Sequence, residues 1–309
     1  MTVYKSLGDP RLKAKPRSIA IGIFDGIHRG HQKILQAMIK QSKRFKTSSL
    51  AVTFDPHPSK VLAPKKTSPT ILMSLPHRLR FLEAMGVHEV LVLRFNKKFA
   101  RVSHENFLRQ ILLKRLGMKS LSVGHDFCFG YRALGDAFYL REQSARLGFH
   151  FSQAGPLRVN GEVISSTCIR ERIEAGDLSG AAEMLGRPVS VYGTVIHGRG
   201  RGKSVGFPTA NLNPHHEALP PAGVYAAYGY LDGQKLKAVI HIGQRPTFHD
   251  REKSLEAHFL RFHKKIYGRD VELIFVKRLR PIAMFDSPKH LASAILADIS
   301  KAKKLLYFK

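Results

Sequence analysis

The chain has 309 residues, of which 43% are hydrophobic and 24% charged, the balance of a globular protein with about two domains. No apolar run approaches the ~18 residues of a membrane helix, residues 1–18 lack the apolar core of a signal peptide, and neither cysteine has metal or redox spacing. We therefore expect a cytoplasmic protein without a membrane span, a leader or disulfides. The net charge of +28 favours polyanionic partners such as nucleic acid, although the basic residues are spread along the whole chain.

The first half of the sequence alternates apolar runs with amphipathic segments. Buried strands are predicted over 18–24, 49–54, 89–95 and 120–124. The segments between them predict helices over 30–45, 75–86 and 103–117. Strands that alternate with helices form a parallel sheet, and the ligands of such sheets bind beyond the carboxyl ends of the strands.

Segments rich in β-forming residues replace this alternation after about residue 187. They predict strands over 189–196, 223–243, 254–262 and 270–279, with a tight hairpin turn at Asp232-Gly233. The last segment, 287–306, predicts a helix with Ser287 as its N-cap. A small antiparallel barrel with one C-terminal helix fits this half. The break at Gly186 and Pro188 predicts two domains, 1–186 and 187–309.

A histidine pair follows the first predicted strand, in the segment GIFDGIHRGH at residues 22–31. His28 and His31 lie on one face near the positive end of the next predicted helix. A cationic or hydrogen-bonding histidine pair beside free helix N–H groups suits a triphosphate. Two alternatives are a metal site, for which no third ligand is apparent, and two structural histidines in a tight turn.

A glycine-rich motif in the second half, GRGRGKSVGFPTANLNP at residues 198–214, contains the Gly-Lys-Ser tripeptide of a P-loop. The P-loop pattern fails here, because His197 replaces its first glycine and Pro208 falls within the turns where the helix has to form. Flexible glycines can still turn backbone N–H groups toward an anion, which suits a loop that covers phosphates. A long basic hairpin loop is the plain alternative.

Ordered motifs in both halves resemble one family. GIFDGIHRGH resembles the HxGH signature of the nucleotidyltransferase superfamily, and it is followed by TFDPHP (53–58), VGHDFCFG (123–130), GD (135–136) and ISSTCIR (164–170). In this order they resemble the adenylyltransferase domain of prokaryotic FAD synthetases, the bifunctional riboflavin kinase/FMN adenylyltransferases. The segment 193–212, GTVIHGRGRGKSVGFPTANL, resembles the flavokinase signature of that family. The resemblance covers roughly residues 18 to 300.

The resemblance implies an α/β nucleotidyltransferase domain with a Rossmann-like parallel sheet, followed by an antiparallel flavokinase-type β-barrel and a C-terminal helix. It implies phosphorylation of riboflavin to FMN in the barrel and adenylylation of FMN to FAD in the first domain. ATP is then the co-substrate of both steps, with Mg²⁺. We expect riboflavin, FMN and ATP as partners, and neither a membrane nor an obligatory protein partner.

In the adenylyltransferase half, the resemblance implies that the FMN phosphate attacks the α-phosphate of ATP without an enzyme nucleophile. It makes His28 and His31 the catalytic residues, and it assigns ATP and phosphate contacts to Gly22, Phe24, Asp25, Ser165, Ser166, Thr167 and Arg170. From the local sequence alone, the alternative for residues 165–170 is a plain helix cap with a solvated Arg170.

The segment HDFCFG carries the flavin contacts that the resemblance implies, namely Asp126, Phe127 and Phe129. Core packing of the two phenylalanines at a strand end is the alternative. Asp126 stands among apolar neighbours, which favours a buried partner or a ligand over a free surface position. Cys128 and Cys168 are expected to be small packed residues.

In the kinase half, the resemblance implies a glycine-rich arch over the ATP phosphates that includes Gly198, Gly202 and Lys203. Thr209 and Asn211 would contact phosphate oxygens and Mg²⁺, for which their oxygens are suitable hard ligands. Glu256 falls at the position of the family's catalytic glutamate, which takes the proton of the riboflavin 5′-hydroxyl as that oxygen attacks the γ-phosphate.

Three positions depart from the family pattern. His241 replaces an asparagine, and Lys203 and Val205 replace the more usual arginine and leucine. A lysine keeps the charge of the arch but loses a bidentate arginine contact, and none of the three changes removes a residue with an assigned chemical role.

Two other functions compete with this interpretation. The net charge of +28 suits a nucleic-acid-binding protein that has kept the scaffold but lost catalysis. The second competing function is that of an enzyme in which only one of the two halves works. The joint retention of the polar residues assigned to both reactions favours two working sites, and a nucleic-acid role is the less favoured alternative; these residues are His28, His31, Thr209, Asn211 and Glu256.

Overall fold

The computed structural model describes residues 1–62, 70–198, 206–215, 217–244 and 253–307. The chain forms two compact units, the first comprising Met1–Pro69 and Leu75–Ser166, and the second comprising Thr70–Ser74 and Thr167–Lys309. Among the residues described, no helix has both the length and the apolarity needed to cross a membrane.

The first unit is built on a six-stranded parallel sheet with the strand order β1-β4-β3-β2-β5-β6. Its strands are β1 (Thr2–Tyr4), β2 (Arg17–Ile21), β3 (Ser48–Asp55), β4 (Glu89–Arg94), β5 (Met118–Val123) and β6 (His150–Gln153). The four apolar runs form the inner strands, and every residue of β2 is buried, as expected for a sheet covered on both faces. The parallel α/β architecture is thereby confirmed.

The helices of this unit are α1 (Arg29–Arg44), α2 (Pro58–Leu62), α3 (Leu75–Ala84), α4 (His104–Asn106) and α5 (Ala137–Leu147), and a small hairpin pairs β7 (Arg158–Val159) with β8 (Glu162–Val163). Helix α1 buries its predicted apolar face, including Leu35 and Met38. The predicted helix 103–117 is only partly α-helical, because a π-helix occupies Phe107–Arg115. A π-helix buries an apolar face much as an α-helix does, so the sequence pattern does not separate them.

The second unit is a closed barrel of six antiparallel strands in the order β10-β13-β12-β11-β14-β9. Its elements are α6 (Ser166–Ala175, whose first residue belongs to the first unit), α7 (Leu178–Leu185), β9 (Ser190–Ile196), β10 (Ala210–Asn213), β11 (Gly223–Leu231), β12 (Gln234–Gln244), β13 (Lys253–Phe259), β14 (Asp270–Arg280) and α8 (Pro288–Tyr307). The predicted barrel and C-terminal helix are confirmed.

Two local predictions in the barrel unit are confirmed. Asp232 and Gly233 both have positive φ values, 49° and 82°, which a two-residue type I′ hairpin turn requires. Ser287 Oγ accepts a hydrogen bond from the amide of His290 at 3.2 Å, so it caps α8. Helix α8 packs Ile299, Ala302 and Leu306 against barrel residues that include Val224.

A buried ion pair joins the amino ends of β2 and β4. Arg17 is 0% exposed and Glu89 is 3% exposed. The Nε of Arg17 donates to Glu89 Oε2 at 2.9 Å, and the Tyr4 hydroxyl donates to Glu89 Oε1. Burial alone would raise the pKa of Glu89, but the hydrogen bonds from Arg17 and Tyr4 outweigh it and lower that pKa to about 2.

Glu89→Gln should destabilise the first unit by about 3 kcal/mol near neutral pH, because it leaves the Arg17 charge buried without its partner. The folded pKa of Glu89 lies below its ordinary value of 4.5. The stabilisation is therefore present above about pH 4.5 and is lost as the pH falls toward 2. Urea unfolding at pH 7 and pH 3 measures the difference. Glu83→Gln is the control: this 62% exposed carboxylate also forms an ion pair, and its loss should cost under about 1 kcal/mol.

Candidate active sites

Three of the sequence motifs of the first unit lie at one edge of the parallel sheet. Strand β2 lies between β3 and β5, and the motifs GIFDG, DPHP and GHDFCFG follow these three strands at their carboxyl ends. Because neighbouring parallel strands end at the same edge, the three loops are adjacent. Gly124, which follows β5, shows the proximity, since a Cβ there would lie 3.4 Å from Ile34 of α1.

The loop after β2 has a backbone that is fixed by close packing. Phe24 and Ile27 adopt the left-handed conformation, with φ values of 53° and 38°. A Cβ at Gly22 would come within 2.9 Å of the Phe24 ring, so glycine is required there. Asp25 is buried, and its carbonyl accepts a hydrogen bond from Ser166 Oγ at 2.8 Å. The structure thus brings four of the predicted phosphate-contact residues together.

The two histidines form a stacked pair at the start of α1. His28 is the N-cap and is 6% exposed, and its Nδ1 accepts from the amide of His31 at 3.3 Å. The two rings stack with their centroids 3.7 Å apart, and the Phe24 ring meets His31 edge-on at 5.5 Å. The Nδ1 atom of His31 is buried and has no hydrogen-bond partner in the part of the chain that the structure describes.

The surroundings of the pair disfavour a positive charge on His31. Burial lowers the pKa of His31 well below its ordinary value of 6.5, and the charges of His28 and Arg78 lower it further. For His31 this shift favours the hydrogen-bonding mode of the prediction over the cationic one. Hydrogen bonding remains available, since a neutral imidazole carries one N–H donor. The metal alternative has no support, because no set of three or more His, Cys, Asp or Glu able to hold a metal occurs among the described residues.

The segment after β5 separates inward-facing from outward-facing side chains. Phe129 is 8% exposed and packs in the core, while the half-buried Phe127 stacks on it with a centroid distance of 5.5 Å. The side chain of Asp126 is 83% exposed and Cys128 is also exposed. Because Asp126 is exposed, the buried partner is wrong and the predicted ligand contact stays a prediction; the packing predicted for Cys128 is also wrong, because both side chains point away from the core that Phe129 enters. Cys168 is half-buried.

The motif ISSTCIR is divided between the two units, since Ser165 and Ser166 belong to the first and Thr167 and Arg170 to the second. Helix α6 begins at Ser166, whose hydroxyl bonds to the loop after β2. Arg170 is 9% exposed and its Nε donates to the carbonyl of Thr70 at 2.6 Å. The alternative of a solvated Arg170 is therefore wrong.

In the barrel unit, the predicted kinase residues meet around β13. Thr209 Oγ1 donates to Glu256 Oε2 at 3.1 Å, and Asn211 on β10 pairs directly with Glu256 on β13. A Cβ at Gly198 would overlap the amide of Asn211, so only glycine permits this approach. Four of the six predicted kinase residues thus lie together. The other two, Gly202 and Lys203, and also Val205, lie outside the described residues.

Two further histidines flank this cluster. His258 Nδ1 lies 2.8 Å from the carbonyl of Pro208, so it braces the Pro-Thr segment against β13. His241 on β12 pairs with Glu256 from the side opposite Asn211. Burial lowers the pKa of His241, and the negative charge of Glu256 acts against that shift. His241 provides a polar neighbour for the carboxylate where the family pattern has an asparagine.

Comparisons with known proteins give separate family matches to the two parts of the chain. Residues 11–168 match the family model for FAD synthetase, and residues 185–306 match the model for riboflavin kinase. A bifunctional riboflavin kinase/FMN adenylyltransferase of Escherichia coli K12 is 34% identical over 287 residues, which cover 93% of this chain and 91% of that protein. The chain belongs to the bifunctional riboflavin kinase/FMN adenylyltransferase family.

Other members and a solved structure match over nearly the whole chain. The family member of Pseudomonas fluorescens is 34% identical over 306 residues, covering 99% of this chain and 98% of its own. A crystal structure described as a macrolide-efflux protein of Streptococcus pneumoniae superposes with a TM-score of 0.83 at 29% identity, covering 97% of this chain and 98% of that one. The efflux description belongs to the Streptococcus protein, and the likeness extends through both units of the family fold.

Sequence motifs did not indicate Arg78, a residue of α3 that is 4% exposed and acts on the pKa of His31. It lies in an amphipathic segment, where an arginine is ordinarily solvated. The one available signal was its place among apolar residues in LPHRLRFL.

Proposed function

We propose that this chain converts riboflavin to FMN and FMN to FAD, using ATP in both steps. The barrel, within the predicted domain 187–309, would carry the kinase site, and the α/β domain, 1–186, the adenylyltransferase site. The observation that carries the proposal is that each family motif set comes together within its own fold: the stacked His28 and His31 at the carboxyl edge of the sheet, and Thr209, Asn211 and Glu256 on adjoining parts of the barrel. Family membership over both units supports it.

Adenylyl transfer requires that the reactants are positioned and that the developing charge is stabilised. A phosphate oxygen of FMN forms a bond to the α-phosphorus of ATP, and the bond to the departing pyrophosphate breaks. His31, in the neutral form that its lowered pKa favours, would donate an N–H hydrogen bond to a phosphate oxygen as charge develops there. The amides at the start of α1 add the positive end of the helix dipole. Asp126 and Phe127, which the solvent reaches, would contact the flavin, with Phe129 supporting the ring from the core.

For phosphorylation, Glu256 would take the proton of the riboflavin 5′-hydroxyl while that oxygen attacks the γ-phosphorus and ADP leaves. The hydrogen bond from Thr209 and the cross-strand position of Asn211 hold the carboxylate in the cluster. The donor set fits Mg²⁺, because Thr209 and Asn211 offer uncharged oxygens that leave room for phosphate oxygens and water. Bound there, the ion would screen the phosphate charge. A cytoplasmic location would fit these substrates.

A time course with the purified chain, riboflavin, ATP and Mg²⁺ tests both activities, with the flavins separated by chromatography. We expect FMN to appear first and then to give way to FAD. FMN that accumulates without FAD would retire the adenylyltransferase half of the proposal. FAD that forms only from added FMN would retire the kinase half, and no product from either flavin in folded protein would overturn both.

A further inference from the structure

A buried arginine bridges two strand ends beside the histidine pair. The Nη1 of Arg78 donates to the carbonyl of Ile23 at 2.6 Å and to Thr53 Oγ1 at 3.0 Å, and its Nη2 donates to the carbonyl of Phe54 at 3.4 Å. Ile23 lies just beyond β2, and Thr53 and Phe54 lie near the end of β3. One guanidinium therefore joins the carboxyl ends of two adjacent strands at the edge where the histidines lie.

We infer that Arg78 is a positioning residue for adenylyl transfer, which fixes the loop after β2 and keeps a positive charge beside His31. The inference rests on the proposed adenylyltransferase function of this unit. It assigns Arg78 two separable effects, one through the backbone of the loop and the other through its charge.

The first effect passes through the carbonyl of Ile23. This oxygen accepts from both Arg78 and Thr53 Oγ1, the latter at 2.9 Å. The next residue is Phe24, whose φ of 53° is unfavourable for a bulky side chain and persists only where the surroundings impose it. The Phe24 ring packs edge-on against His31. An unanchored Ile23 carbonyl would therefore release the residue that sets the position of the His31 ring.

The second effect is electrostatic. Among the described residues, the charged groups that act on His31 are His28, at the start of the same helix, and Arg78, on α3, and both lower the pKa of His31 in addition to burial. Arginine stays charged throughout the accessible pH range. Without that charge, the pKa of His31 would rise, and the imidazolium would form at a higher pH. The neutral ring, with its single N–H, would then be lost earlier as the pH falls.

Three variants separate the two effects. Arg78→Met removes both charge and anchor, Arg78→Lys keeps the charge but loses the fork of donors, and Thr53→Val removes one donor to Ile23 with the charge intact. For each variant, kcat and KM for the conversion of FMN to FAD are measured from about pH 5 to about pH 9. The conversion of riboflavin to FMN by the same sample reports on the barrel unit, far-UV circular dichroism reports on the fold of the whole chain, and NMR titration of the His31 ring reports its pKa directly.

For Arg78→Met we expect kcat for FAD formation to fall about tenfold or more, since small misplacements at a reacting centre are costly. We also expect the acid limb of the pH profile of kcat, and the NMR titration of the His31 ring, to move to higher pH. Kinase activity should be unchanged. Arg78→Lys and Thr53→Val should lower kcat by a smaller factor and leave the acid limb in place.

An Arg78→Met variant with unchanged kcat would overturn the inference, and so would a lower kcat with an unmoved acid limb and His31 titration, which indicates a merely structural role. If Arg78→Met loses kinase activity as well, the other two variants, Arg78→Lys and Thr53→Val, test the inference. Full FAD formation in both variants overturns it, and reduced FAD formation with intact kinase activity supports it. Absence of FAD formation in the unaltered chain would instead contradict the proposed function.

Discussion

Replacing His31 by alanine should stop FAD formation while leaving the formation of FMN from riboflavin intact. His31 lies at the positive end of α1 and stacks on His28, and its buried Nδ1 atom has no hydrogen-bond partner in the described chain. Loss of one preorganised donor to a developing phosphate charge typically costs roughly 10²–10³-fold in rate. With riboflavin, ATP and Mg²⁺ supplied, the variant should accumulate FMN, and the rate of FMN formation should match that of the unaltered chain.

The control for this substitution is His150→Ala. His150 lies in β6 of the same unit, and among the described residues its ring packs against the ring of Phe45. It should leave both activities unchanged. If His31→Ala lost FMN formation too, in a protein with unchanged far-UV circular dichroism, the assignment of separate sites to the two reactions would be wrong.

Most of the fold follows from the sequence because its signals are local and strong. Continuous apolar runs mark the inner strands β2, β3, β4 and β5, since a parallel strand buried on both faces has no polar alternation. The outer strands β1 and β6 carry no such run, and β10 is the short polar segment ANLN. These three strands depend on pairing with neighbours distant in the sequence, and a local pattern holds no information about that pairing.

The candidate sites were predictable where short motifs hold the residues together. His28 and His31 occupy one turn, and Thr209 and Asn211 one strand end, so their proximity is already present in the chain. Glu256 was found only through the family resemblance, and its hydrogen bond to Thr209 depends on the pairing of β10 with β13.

Arg78 and Asp126 show where sequence reasoning fails. Whether a charged side chain is buried depends on what packs on it in three dimensions. Arg78, for which the sequence carried no prediction, is buried, and Asp126, for which a buried partner or a ligand was predicted, is exposed. An arginine on an amphipathic helix is buried against strand ends, whereas an aspartate among phenylalanines faces solvent. Neither outcome is contained in composition or periodicity.

Glu256→Gln should have the opposite effect to His31→Ala: riboflavin should remain unphosphorylated, while added FMN should be converted to FAD at the unaltered rate. Glutamine keeps the size of the side chain and can still accept from Thr209 Oγ1, so the cluster with Asn211 should persist. An amide cannot take the proton of the 5′-hydroxyl, however, and loss of a general base typically costs roughly 10²–10⁴-fold. Initial rates of FMN formation from riboflavin, and of FAD formation from FMN, measure the two outcomes in one sample.

Asp232→Asn provides the matched control, because this exposed carboxylate of the same barrel lies in a hairpin turn whose φ of 49° asparagine tolerates well. Equal loss of kinase activity in both variants would show that the barrel responds to any lost carboxylate, and a fully active Glu256→Gln would remove Glu256 from the reaction altogether.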